Sequence, residues 1–218
     1  MAQLLFDLDG TISDPFTGIS RSINYALESR GYPQQAEASL AQYIGPPLDA
    51  SFKLITGVND DAEIAALVAK YRERYAEVGY SENTLYPGIA EALQTLATQN
   101  IRTGICTSKR ADFADKILKL FGISDYFDFI CGGDIGIHKW QQIESLLASQ
   151  SIDRQTLMIG DRAVDLQAAH INGLNACGVL WGYGSLGELE AESPSCILTK
   201  TKELGLLIRR DMIVQSSF

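Results

Sequence analysis

The stretch Leu4-Leu5-Phe6-Asp7-Leu8-Asp9-Gly10-Thr11 decides how this chain folds. A short apolar run that stops abruptly at a pair of carboxylates has the pattern of a buried parallel strand, covered on both faces and opening at its carboxyl end into a polar loop. Two later segments repeat the pattern: Gly104-Ile105-Cys106 before Thr107, and Leu157-Met158-Ile159-Gly160 before Asp161. Helical spacings separate them, at Ile89, Leu93 and Leu96, at Ile117, Leu118 and Phe121 before Gly122, and at Ile143, Leu146 and Leu147. Strands alternating with helices predict an α/β doubly wound parallel sheet. Ligands of such sheets gather outside the carboxyl ends of the strands, so Asp7, Thr107 and Asp161 are expected to share one site.

Residues 15–86 break this rhythm and read as a helical insert, leaving 1–14 and 87–218 as the core. Asp14 is expected to cap a helix with Pro15 at its first position, followed by Ile19, Ile23 and Leu27 at helical spacing until Gly31. A second helix is expected from Asp60 or Asp61, carrying Ile64, Leu67, Val68, Tyr71 and Tyr75 to Gly79. Between them, Ile44-Gly45-Pro46-Pro47-Leu48 reads as a stiff turn. An insert that leaves after the first strand and returns near Pro87 is expected to act as a lid over the site.

Composition excludes several classes. The formal charge of −9 gives no basic footprint for a nucleic acid polymer or an anionic membrane. No apolar run approaches the ~20 residues that cross a bilayer, and the start MAQLLFDLDG lacks the marks of a signal peptide. The expectation is a cytoplasmic protein, monomeric or homodimeric. Cys106, Cys131, Cys177 and Cys196 form no CxxC pair and are read as reduced, mostly buried thiols.

The chemistry-bearing residues fall at the expected strand ends. Asp7 and Asp9 place two carboxylates near one ligand: one can attack phosphorus, while the other protonates the leaving oxygen and then activates water. Gly10 allows close backbone approach to a substrate, and Thr11 can fix the loop. Taken alone, Asp7-Leu8-Asp9-Gly10 reads more readily as a solvated Asp-Gly turn. The second acidic cluster, Gly160-Asp161-Arg162-Ala163-Val164-Asp165, argues against that reading, because converging carboxylates repel unless a cation lies among them. Oxygen ligands alone point to a hard ion, Mg²⁺. Thr107-Ser108-Lys109 is expected to open a helix and offers hydrogen-bond donors and positive charge at its N-terminus, with Thr107 the best phosphate donor. Lys139, in Gly136-Ile137-His138-Lys139-Trp140, can supply charge to the same site.

In this order, DLDGT, TSK, a lysine and GDRxxD resemble the haloacid dehalogenase superfamily over nearly the whole chain. The insert, the Ile44-Gly45-Pro46-Pro47-Leu48 turn and Trp181-Gly182-Tyr183-Gly184 are similar to segments of its phosphoglycolate phosphatases. The resemblance implies a flavodoxin-like core with a mobile helical cap. It also implies a magnesium-dependent phosphatase of a small phosphorylated metabolite, with Asp7 as nucleophile, Asp9 as general acid and base, and Thr107 as phosphate ligand. Lys139 would neutralise the nucleophile and phosphoryl oxygens. Magnesium would be held by Asp7, the backbone carbonyl of Asp9, Asp161 and Asp165. The family's lysine is usually followed by proline, whereas Trp140 follows here, which leaves Lys109 as a rival site lysine. Asp9 argues against carbon-halogen chemistry. Substrate contacts are expected from Gly10, Thr11, Thr107, Ser108 and Lys109, with Gly45 and Arg21 contributing from the insert. A β-phosphoglucomutase-like mutase and a catalytically silent binding protein are the alternatives.

Overall fold

The structure is a computed structural model that describes residues 3–134 and 136–207. The chain runs β1 (Gln3–Phe6), β2 (Ser13–Asp14), α1 (Phe16–Ser29), α2 (Leu48–Thr56), α3 (Asp61–Glu77), β3 (Thr84–Leu85), α4 (Ile89–Thr98) and β4 (Arg102–Thr107). It continues through α5 (Ala111–Leu120), β5 (Ile130–Gly132), α6 (Lys139–Ala148), β6 (Leu157–Gly160), α7 (Ala163–Ile171), β7 (Asn175–Val179), α8 (Leu186–Ala191) and β8 (Cys196–Leu198). Two compact units result: one holds the described residues up to Ser13 and from Leu85 onward, the other Asp14–Thr84.

The first unit is the doubly wound parallel core. Six strands lie in the order β5-β4-β1-β6-β7-β8, and every pairing is parallel. Counted along the chain within this sheet, the order is 3-2-1-4-5-6, the Rossmann-type arrangement rather than the flavodoxin order 2-1-3-4-5. Its winding reverses between β1 and β6, which pair through Leu4–Leu157, Leu5–Met158 and Phe6–Ile159. The crevice of such a sheet opens at that reversal, and Asp7 and Asp161 are the residues that follow those two strands.

Burial explains why these runs are strands. All four residues of β1 are buried, as are the last three of β6. The polar member, Gln3, is satisfied by donating to the Ser151 carbonyl at 3.0 Å and accepting from the Thr156 hydroxyl at 3.3 Å. One face of the sheet packs Leu5, Cys106 and Met158 against Ile143, Leu146, Leu166 and Ala169. A fully buried Leu or Ile contributes about 1.5–3 kcal/mol over an exposed one. The strands β5, β7 and β8, of three to five residues, carry no long apolar signal, so sequence patterning does not single them out.

One cysteine expectation is corrected. Cys177 and Cys196 occupy paired positions on β7 and β8 and are joined in a disulfide, while Cys106 and Cys131 remain free. Strand register brings together residues 19 positions apart that spacing rules do not connect.

The second unit is helical. Helix α1 buries Ile19, Ile23 and Leu27, and α3 buries Ile64, Leu67, Val68, Tyr71 and Tyr75, with the last two rings stacked 5.4 Å apart. Asp14 accepts from the Phe16 amide at 2.9 Å, so α1 begins one residue later than expected. Asp60 caps α3 through the Ala62 amide. The helix α2 was not expected: it starts directly after Pro47, and Pro46-Pro47 masked its onset although proline suits a position before the first turn. The strands β2 and β3 form a separate two-stranded sheet.

Candidate active site

The site lies in the first unit and is built from the ends of β1, β4 and β6 and the start of α6. After β1 the chain turns sharply: the amides of Ile12 and Ser13 donate to the Leu8 carbonyl at 2.9 and 3.0 Å, and Gly10 donates to the Ser13 carbonyl at 2.8 Å. Gly10 holds a φ of 85°, in the left-handed region, and a Cβ there would collide with the Asp161 carboxylate. The close approach that Gly10 permits is therefore to Asp161. Thr11 joins the same contact, its hydroxyl donating to Asp161 Oδ1 at 3.4 Å.

Asp7, Asp161 and Asp165 are buried, and one carboxylate oxygen from each falls within 4.8 Å of the others. Burial is the main force raising the Asp161 carboxyl well above its ordinary range, and the Asp165 and Asp7 charges add to it. Burial also leads at Asp165, which is raised to about 6 although Lys139 opposes the shift. Three converging oxygen ligands that resist ionisation together could hold a hard divalent cation. Asp165 is the most engaged of them, accepting from Lys139 through Oδ1 and from the Arg162 amide through Oδ2 at 3.0 Å.

Lys139 is the first residue of α6 and only 3% exposed. Its Nζ lies 2.9 Å from Asp7 Oδ1 and also pairs with Asp165. Burial pushes its ammonium toward neutrality, but the Asp165 and Asp7 charges outweigh it and hold Lys139 protonated. Trp140 in place of proline leaves this placement intact, because His138 and Gln141 organise the helix start: Gln141 Oε1 accepts from the His138 amide at 2.9 Å.

Lys109 does not compete with Lys139. Its Nζ lies 2.8 Å from Asp9 Oδ2, with the lysine side chain 7% exposed. Each aspartate after β1 therefore has its own lysine. Asp9 Oδ1 is buried without a hydrogen-bond donor among the described residues. Burial raises the Asp9 carboxyl, and the charge and hydrogen bond of Lys109 oppose that rise.

Thr107 is buried at the end of β4, its hydroxyl accepting from the Lys109 amide at 3.2 Å and its carbonyl from Gln142 Nε2 at 3.0 Å. Ser108 is exposed. The helix expected to open at Thr107-Ser108-Lys109 starts later, at Ala111, so Thr107 ends β4 while Ser108 and Lys109 lie in the loop ahead of the helix. Arg21 and Gly45 belong to the second unit, where Arg21 pairs with Glu82 at 2.8 Å and Gly45 turns the chain at a φ of 100°.

Sequence reasoning gave no role to the loop after β7. Tyr183 donates its amide to Asp161 Oδ2 at 2.8 Å, and Trp181 Nε1 donates to the Thr11 carbonyl at 2.9 Å. Alternating glycines at 182 and 184 were the available signal, because glycine in a loop beside a site marks close backbone approach. Gln142, tying Thr107 to the Cys131 carbonyl at 3.3 Å, gave no signal, since a single polar residue on a helix is ordinarily a solvated one.

A Rossmann-like sheet with acidic residues and a buried lysine gathered at its winding reversal fits the class of phosphoryl-transfer enzymes. The haloacid dehalogenase-like hydrolase family model matches residues 4–179. This chain belongs to that family and is an enzyme, a phosphatase among its members. It is similar to a 5'-nucleotidase of Pseudomonas aeruginosa, 39% identical over 88% of this chain and 89% of the relative. The Tyrosine-protein kinase PtkA of Mycobacterium tuberculosis is 32% identical over 89% of this chain and 67% of its own length. A phosphoglycolate phosphatase of Yersinia pestis is 31% identical over 91% and 89%. Among solved structures, a haloacid dehalogenase-like family hydrolase of Streptococcus pneumoniae superposes with a TM-score of 0.87 at 30% identity, covering 95% of this chain and 97% of its own.

Proposed function

We propose that this chain hydrolyses a small phosphate monoester by a two-step, magnesium-dependent route through Asp7. The observation that carries the reading is a charge balance. Four aspartates, at 7, 9, 161 and 165, face two lysines, at 109 and 139, leaving a net formal charge of minus two when all are ionised. A divalent cation matches it. Asp7 and Asp161 would hold that cation with the Asp9 backbone carbonyl, and Asp165 would support it directly or through water. When bound, magnesium supplies positive charge to the phosphoryl oxygens and to Asp7.

The remaining work falls to side chains. Asp7 attacks phosphorus and carries the phosphoryl group as an aspartyl-phosphate, while Asp9, two residues on, gives its proton to the departing oxygen. Asp9 then takes a proton from the water that attacks the phosphoryl group, which restores Asp7. Lys139 keeps positive charge beside Asp7 throughout, and the Thr107 hydroxyl donates to a phosphoryl oxygen. Gly10, Thr11, Ser108 and Lys109 complete the phosphate end of the site. Arg21 and Gly45 remain candidates for the leaving-group end.

The 39% relative makes nucleoside 5'-monophosphates the first substrate class to test, ahead of phosphoglycolate and sugar phosphates. Free phosphate released from one of them in Mg²⁺, and abolished by chelator, supports the reading. Phosphate release that needs an added acceptor or bisphosphate activator points to a mutase or another phosphotransferase, and no turnover from folded protein points to a binding protein.

A further inference from the structure

Asp161 differs from the other three aspartates of the site. Asp7 and Asp165 pair with Lys139 and Asp9 pairs with Lys109, whereas Asp161 has no ion pair among the described residues. The residue is 1% exposed, and its carboxylate is held by neutral dipoles from two loops. From the loop after β1, the Thr11 hydroxyl reaches Oδ1 at 3.4 Å; from the loop after β7, the Tyr183 amide reaches Oδ2 at 2.8 Å. The two loops are fastened together by the Trp181 indole, which donates to the Thr11 carbonyl at 2.9 Å.

The glycines of Trp181-Gly182-Tyr183-Gly184 are required by this enclosure. A Cβ on Gly182 would stand 2.5 Å from both Cβ and Oδ2 of Asp161 and would also strike the Gly10 carbonyl; one on Gly184 would strike the Asp161 carbonyl. Real Cβ atoms do not come within 3.0 Å of such neighbours, so either side chain would force Asp161 or the loop to move. A neutral clamp fixes direction without neutralising charge. The short bond to Oδ2 orients the carboxylate, and the longer contact leaves Oδ1 with most of its acceptor capacity.

We propose that residues 181–184 form a strap that aims the Asp161 carboxylate at a divalent cation, with Trp181 as its anchor and Gly182 as its point of closest approach. This rests on the reading of Asp161 as a cation ligand. The strap sets cation affinity rather than the chemical step, because it reaches the site through Asp161 and through Thr11 of the loop that supports it.

The test is titration of the full chain with Mg²⁺ by calorimetry, and with Mn²⁺ by electron paramagnetic resonance, without substrate. Gly182→Ala is expected to raise the Mg²⁺ Kd about 10-fold or more. Trp181→Phe, which keeps an aromatic ring but removes the N–H, is expected to raise it about 3- to 10-fold, each value reflecting a lost or displaced hydrogen bond of ordinary strength. Turnover by Trp181→Phe is expected to return to the wild-type level at saturating Mg²⁺, a recovery that general damage to the fold would not give. Asp161→Asn separates the two layers of the inference. Weak binding by Asp161→Asn with wild-type Kd values for the strap variants overturns the strap and leaves the cation reading standing; wild-type binding by Asp161→Asn overturns both. If Gly182→Ala fails to fold, Trp181→Phe decides alone, and an unchanged Kd overturns the proposal.

Discussion

Lys139 places its ammonium 2.9 Å from Asp7 Oδ1 while almost wholly buried, and the same group pairs with Asp165. Its position at the first residue of α6 makes the helix start part of the site. Removing one member of a buried ion pair costs about 3–5 kcal/mol, because the partner is left charged and unpaired. Lys139→Met is therefore expected to lose stability of about that size at neutral pH in chelator. The loss should shrink in Mg²⁺, since the uncompensated carboxylates of the variant bind the cation more tightly than the wild-type site and so gain more from it by mass action. Denaturant titration with and without Mg²⁺ checks this; a loss below about 1 kcal/mol in chelator would show that the pair carries no such strain.

Asp7→Asn keeps the shape of the side chain and removes the nucleophile. We expect phosphate release to drop by at least ~10³-fold with the unfolding transition retained, as happens when the attacking group itself is lost. Full release by the variant would exclude Asp7 from the attacking role. The amide also weakens the contact with Lys139, so unfolding should be followed in the same samples.

The ion pair of Lys109 with Asp9 gives a prediction of a different kind. Lys109→Met leaves Asp9 buried with neither oxygen paired to a charge, free to leave the pose that serves the leaving group. Because general acid–base catalysis contributes about 10²–10⁴-fold, a partial loss of positioning should lower kcat about 10- to 100-fold while KM changes less. Single-turnover measurements should show the aspartyl-phosphate persisting longer if Asp9 no longer activates water. An unchanged kcat would leave Lys109 with a charge-balancing role only.

How much of this was legible in the sequence depends on whether a residue acts through its local pattern or through register. Leu4-Leu5-Phe6-Asp7 marks both a strand and its functional end, because burial demands the apolar run and chemistry demands the acid directly after it. Asp161 and Asp165 follow the same logic after β6. Helices α1 and α3 were visible because each hides one apolar face. The disulfide between Cys177 and Cys196 was not visible, since it depends on β7 lying beside β8. Nor was the pairing of Lys109 with Asp9, whereas Lys139 beside Asp7 was implied by the resemblance. The strap at residues 181–184 could be seen as glycine spacing, but its partner, Asp161, lies some twenty positions earlier and is met only in the fold.

The raised carboxyl of Asp165 sets the direction of a pH dependence. Its value is about 6 in the folded chain against the 3.8 of an unperturbed aspartate, with burial the leading cause. Between those two values the unfolded chain has released this proton while the folded chain still holds it, so the folded state binds more protons and stability falls as pH rises. Asp161, raised in the same direction, extends the trend upward. Denaturant unfolding in chelator should therefore show Asp165→Asn gaining stability relative to the wild type from about pH 4 to about pH 6. Mg²⁺ binds the ionised carboxylates, so its stabilising effect should grow over the same interval, and calorimetry near pH 5.5 should record proton uptake by the buffer on binding. A cation effect independent of pH across this window would mean that Asp165 and Asp161 are already ionised in the folded chain, and that their mutual repulsion is relieved by a group other than the cation.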